Sequence, residues 1–129
     1  MRTAAFGLAC LALASVVCGC TAQPRNFTDQ CGVIRSRFAA RGRLLSESSP
    51  TQRNQSWEAT SSYEFDSDKQ NTLAIVRSLI PKEYQLVRDA VDELSYVHTD
   101  GGDSTYVTVQ FSPAGATTDV ALTIKTLPS

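Results

Sequence analysis

The chain has 129 residues, with twelve Lys or Arg, thirteen Asp or Glu and one His, for a formal net charge of −1. Once an apolar N-terminal segment is set aside, about 110 residues remain, enough for one small domain and no more. A single histidine excludes any zinc site built on paired histidines.

Met1-Arg2 is a short positive start, and Ala4 to Val17 is an uncharged apolar run. At ~1.5 Å rise per residue that run falls well short of a ~30 Å hydrocarbon core, so it predicts a secretion signal rather than a spanning helix. Val17-Cys18-Gly19-Cys20 follows at once. The tetrad resembles the lipobox of bacterial lipoproteins: Val17, Gly19 and Cys20 match, while Cys18 stands where Ala, Ser or Thr is usual. The resemblance is confined to the signal segment, residues 1–19, and Cys20. It implies diacylglycerol on the Cys20 sulfur, cleavage before Cys20 and a further acyl chain, such as palmitate, on the new amino group. Several chains on one residue give stable membrane anchoring, where one chain is marginal. Thr21 occupies the place where the family's retention signal puts Asp, so the resemblance implies an outer-membrane address facing the periplasm. The alternative is ordinary secretion, with cleavage after Ala22.

Residues 20–56 read as a tethered basic neck and linker. Between residues 25 and 53 six arginines stand against Asp29 and Glu47, a net +4, whereas residues 54–129 carry a net −6. Arg25, Arg35, Arg37, Arg41 and Arg43 are therefore the expected membrane-proximal cations, facing lipid phosphate or envelope polymer rather than nucleic acid. Thr28 as N-cap and Gly42 past the end predict a helix over 29–41. Phe27, Cys31, Ile34 and Phe38 form its narrow apolar stripe, which suits docking on the chain's own domain or, alternatively, a membrane interface. Ser46 to Gln55, interrupted by Pro50, reads as a linker.

Residues 57–129 read as the compact domain. Trp57, Ala59, Tyr63 and Phe65 alternate with Glu58, Thr60, Ser62 and Glu64, predicting a strand. Leu73, Val76, Ile80, Tyr84, Val87, Val91 and Leu94 fall on one helical stripe, predicting a long helix capped by Asp66 or Ser67 and broken near Ile80 by Pro81. Tyr96 to Thr99 fits either a helix end or a short strand. Asp100-Gly101-Gly102-Asp103 is a turn, and two further alternating strands flank Ser112–Ala116 as a hairpin. The expected fold class is α+β: a small three-stranded antiparallel sheet, β-α-β-β, covered on one face by the Pro-broken helix and preceded by the N-terminal helix.

Little in the chain points to catalysis. There is no Gly-x-Ser-x-Gly elbow and no phosphate loop, and Asn71 and Arg77 stand where a calcium loop from Asp66 needs Gly and Glu. No cofactor is expected. Cys31, the one cysteine left beyond Cys20, is read first as a small buried residue. The functional expectation is a non-catalytic, lipid-anchored binding, assembly or inhibitor module. It would touch the membrane through Cys20 and an envelope protein through the polar sheet face, at Tyr106, Thr108, Gln110 and Lys125. The alternative is a small hydrolase using Cys31 or a serine with His98.

Overall fold

The computed structural model describes residues 24–127; the signal segment and Cys20 lie outside the described residues. Helix α1 (Arg25–Arg41) leads into β1 (Arg43–Glu47), β2 (Thr51–Arg53) and β3 (Ser56–Phe65). Helix α2 (Lys69–Leu79) follows, and β4 (Gln85–Ala90), β5 (Glu93–Asp100), β6 (Asp103–Ala114) and β7 (Thr117–Leu127) complete the chain. The strands form one seven-stranded antiparallel sheet in the order β1-β3-β7-β6-β5-β4, with β2 pairing on β3 alongside β1.

This corrects the expected three-stranded sheet under a Pro-broken helix. Helix α2 ends at Leu79 because Ile80, the residue before Pro81, is extended at φ −78°, ψ 129°. The stripe that continued past Pro81 in helical phase is spread instead over Tyr84 ahead of β4, strand β4, the β4–β5 turn and strand β5. Val87 sits at a bulge in β4, between the pairs Leu86–Tyr96 and Arg88–Ser95, and Val91 lies in the β4–β5 turn. Val87 and Val91 are 56% and 79% exposed, so neither apolar side chain serves the core that a helix would have given it. Tyr96–Thr99 is strand.

Two more strands arise in the stretch read as neck and linker. Strand β1 is exposed at every residue, so no apolar alternation marks it. Between β1 and β2 the edge is broken at Ser48–Pro50, where the Ser48 side chain takes over a ladder position. The Thr60 amide donates to Ser48 Oγ at 3.1 Å, and the Ser48 amide donates to Thr60 O at 2.9 Å. Pro50 has no N–H to offer there.

The three strands expected from alternation are present as β3, β6 and β7, and β6–β7 is the expected hairpin, turning at Gly115–Ala116. The inner face runs in cross-strand rows: Ala59, Ile124, Val107 and Tyr96; then Ser61, Leu122, Val109 and Leu94. Both helices lie on this face. Helix α1 contributes the buried residues Phe27, Cys31, Ile34 and Phe38, so its apolar stripe docks on its own domain. It starts at Arg25, earlier than expected, because Pro24 precedes it and Thr28 lies inside the helix, bonding back to Pro24 O at 3.2 Å. The cap of α2 is Asp68, whose carboxylate accepts the Asn71 amide at 2.8 Å. From β3 the chain crosses beneath the sheet through α2 to the far edge at β4. The meander β4–β7 then returns until β7 closes on β3 over nine register pairs, Trp57–Thr126 through Phe65–Thr118.

Candidate functional site

The sheet's outer face carries neither helix, and strand register alone assembles it. On β6 and β7, Tyr106 stands opposite Lys125, Thr108 opposite Thr123 and Gln110 opposite Ala121. The four residues expected from sequence are therefore neighbours on one face. The rows extend to Glu58, Thr60 and Ser62 on β3 and to Val97, Ser95 and Glu93 on β5. Glu93 and Ser95 were missed because their segment read as helix, and Val97 lay in the stretch left between helix end and strand; the alternation of Leu94 and Tyr96 with Ser95 and Val97 was the signal available.

Chemically the face is hydroxyl-rich and carries charges of both signs. Ser95, Thr108, Thr123 and Thr60 form a central row, with Ser95 Oγ 3.4 Å from Thr108 Oγ1. Arg43 pairs with Glu64 at 2.6 Å and Arg88 with Glu93 at 3.0 Å. Gln110 donates to Glu93 at 3.3 Å. Tyr106, 37% exposed, is the large aromatic here, and Lys125 makes no ion pair among the described residues.

The five basic residues do not form one patch. On a helix turning ~100° per residue, Arg35 falls on the flank of α1 facing the broken sheet edge, and Arg37 and Arg41 on the flank facing α2. Arg37 donates to Leu79 O at the C-terminal end of α2 at 3.4 Å, a favourable place for a cation. Arg43 lies in β1, and Arg25 begins α1, about 24 Å from Arg41 at 1.5 Å per residue.

Arg35 is the best-held of the five. Its Nη2 donates to Ser48 O at 2.9 Å and to Thr60 O at 2.8 Å, latching α1 to the edge where the strand breaks. Its Nη1 is 3.7 Å from Glu47. Nearby, Arg35 Nε is buried without a hydrogen-bond partner, beside the buried hydroxyls of Ser61 and Tyr63. Burial pushes the Tyr63 phenol up, with smaller opposing contributions from the neighbouring Ser61 hydroxyl and the Arg35 charge. A groove of about 460 Å³ opens beside this cluster, lined by Thr28, Cys31, Gly32, Arg35, Ser36 and Ala39 of α1 and by Glu47 and Pro50 of the edge.

Cys31 is a free, buried thiol, and burial pushes its pKa up to about 11, only partly offset by Arg35. A nucleophilic cysteine needs the opposite shift. The His98 ring packs on Tyr84 with centroids 5.3 Å apart, and the Tyr84 hydroxyl donates to Gln30 at 2.8 Å. Asp100 and Asp103 flank a tight turn in which Gly101 and Gly102 both have positive φ, 62° and 95°. Among the described residues, no three His, Cys, Asp or Glu side chains gather as a metal site, and no helix is long and apolar enough to cross a membrane. No family model, curated protein or solved structure matches the chain.

Proposed function

We propose that this protein is a lipid-anchored cell-envelope lipoprotein whose folded part is a non-catalytic binding module, engaging a protein partner through its outer sheet face. The observation that carries the reading is the division of the sheet. Its inner face is spent on the core, while the outer face is continuous and polar, carries the ion pairs Arg43–Glu64 and Arg88–Glu93, and presents Tyr106 and Lys125. Such a face suits a flat partner held by hydrogen bonds around an aromatic contact, rather than a small substrate, which needs an enclosing cleft. The anchor half of the reading rests on the lipobox resemblance. Only residues 21–23 separate Cys20 from Pro24, so the domain would sit within about 15 Å of its acylated residue at ~3.6 Å per residue. The Cys31 form of the hydrolase alternative draws no comparable support, since that thiol is buried and held protonated.

The test places a photo-crosslinking amino acid at 106, 108 or 123 in the full-length protein in cells, with positions 26 and 40 on the exposed side of α1 as controls. The expected result is a discrete adduct from the sheet positions alone, lost on Lys125→Glu, while Cys20→Ala moves the protein from the membrane to the soluble fraction. Adducts of equal yield from the α1 positions would overturn the sheet-face assignment, and membrane retention of Cys20→Ala would overturn the anchor.

A further inference from the structure

We propose that the groove between α1 and the broken sheet edge is a second binding site, one that takes an extended peptide segment with small side chains. The site lies on the opposite side of the fold from Tyr106 and stands independently of the outer-face reading.

Its walls set the shape of the occupant. Thr28, Gly32, Ser36 and Ala39 recur every three or four residues along one flank of α1, so apart from Arg35, which reaches the sheet edge, that wall is built of small side chains. A Cβ built on Gly32 meets nothing within 4 Å, leaving open space at mid-groove. The volume, about 460 Å³, falls inside the ~300–1,000 Å³ typical of ligand sites.

Its polar groups set the chemistry. Arg35 has used Nη2 on two backbone carbonyls, but Nη1 stands 3.7 Å from the Glu47 carboxylate, too far for a hydrogen bond. Donor capacity on Arg35 and acceptor capacity on Glu47 both stay open, side by side, on a pair whose charges cancel. A free anion or cation would gain from one partner and be repelled by the other. An amide meets both, its carbonyl accepting from Nη1 and its N–H donating to Glu47.

A separate observation marks the spot. Arg35 Nε is buried without a hydrogen-bond partner, and the buried hydroxyls of Ser61 and Tyr63 lie next to it on the inner face. Ser61 stands opposite Glu47 in the β1–β3 register, and the Tyr63 phenol, fully buried, feels the charges of both Arg35 and Glu47. An unpaired buried N–H is rare in native interiors, and this one belongs to the arginine that lines the groove.

The test is an NMR titration of the full mature chain in detergent micelles with a blocked Ala-Gly-Ala-Ala peptide, and separately with N-acetylglucosamine oligomers. The Arg35 Nε–Hε signal and the amides of residues 28–39 and 47–49 are followed. The expected result is saturable shifts with the peptide, at least tenfold weaker binding in Gly32→Leu, several-fold weaker in Glu47→Gln, and unchanged binding in Tyr106→Ala. Where Gly32→Leu does not fold, Ser36→Leu on the same wall replaces it. Absence of saturable peptide shifts would mean that ordered water alone completes the cluster, and would overturn the proposal. So would shifts that persist in the wall variants, or saturation by the oligosaccharide and not the peptide.

Discussion

Gly42 and Gly32 show how differently two glycines in one segment can be employed. At Gly42 the backbone is ordinary, φ −121°, yet an added Cβ would stand 2.8 Å from Phe65 Cε1. Phe65 is buried and held edge-on by Phe38 at a centroid distance of 6.3 Å, so it has nowhere to move. Gly42→Ala is therefore expected to cost about 1–3 kcal/mol as overpacking, lowering the thermal midpoint by roughly 4–8 °C per kcal/mol. At Gly32 the same change removes a helix-interior glycine into open space and is expected to stabilise by up to ~1 kcal/mol. Thermal unfolding of both variants checks the opposite signs. Cys31 gives a prediction in pH. Its thiol ionises near 9.0 in the unfolded chain and near 11 in the fold, so between those values the unfolded chain gives up its proton first. The stabilising contribution is whole below pH 9 and is lost as pH rises through 11. Buried Tyr63, Tyr84 and Tyr96, also shifted upward, add to the loss at higher pH. Urea midpoints measured between pH 8 and 10 should therefore fall more steeply in the parent than in Cys31→Ala.

What could be read from the sequence differed from element to element, and the differences have physical causes. Strands β3, β6 and β7 were legible because each has one face in the core and one in water, which writes period two into the chain. With them came the outer face, on which Tyr106, Thr108, Gln110 and Lys125 share the neighbouring strands β6 and β7. Strand β1 was illegible because a wholly exposed edge strand needs no pattern. Strands β4 and β5 were misread because apolar residues at β4, its bulge and its turn happened to keep helical spacing across Pro81; the proline, not the periodicity, was the better guide. The groove was beyond reach altogether. It depends on α1 meeting a broken edge through Arg35, whose partners Ser48 and Thr60 are 13 and 25 residues away along the chain.

Over the whole molecule, the neck is part of the fold. Phe27, Ile34 and Phe38 of α1 are each at most 1% exposed, and β1 and β2 cover the outer edge of β3. Losing even one such side chain typically costs ~2–5 kcal/mol, against total stabilities of ~5–15 kcal/mol. A chain cut to residues 57–129 is expected to be unfolded, with poor amide dispersion and no cooperative melting transition; a native-like spectrum from that fragment would show that the sheet does not need α1.

The two ends of the described chain meet at one pole. Arg25, Asn26 and Asp29 share a concavity with Asp100, Gly101 and Asp103, and Leu127 stands in register with Ser104. From that pole β6 runs its twelve residues, nearly 40 Å at ~3.3 Å each, to the loop at Gly115. Were Cys20 acylated as proposed, the Asp-Gly-Gly-Asp corner would be the part of the described fold tethered nearest the lipid, with the Gly115 loop at the other end of β6.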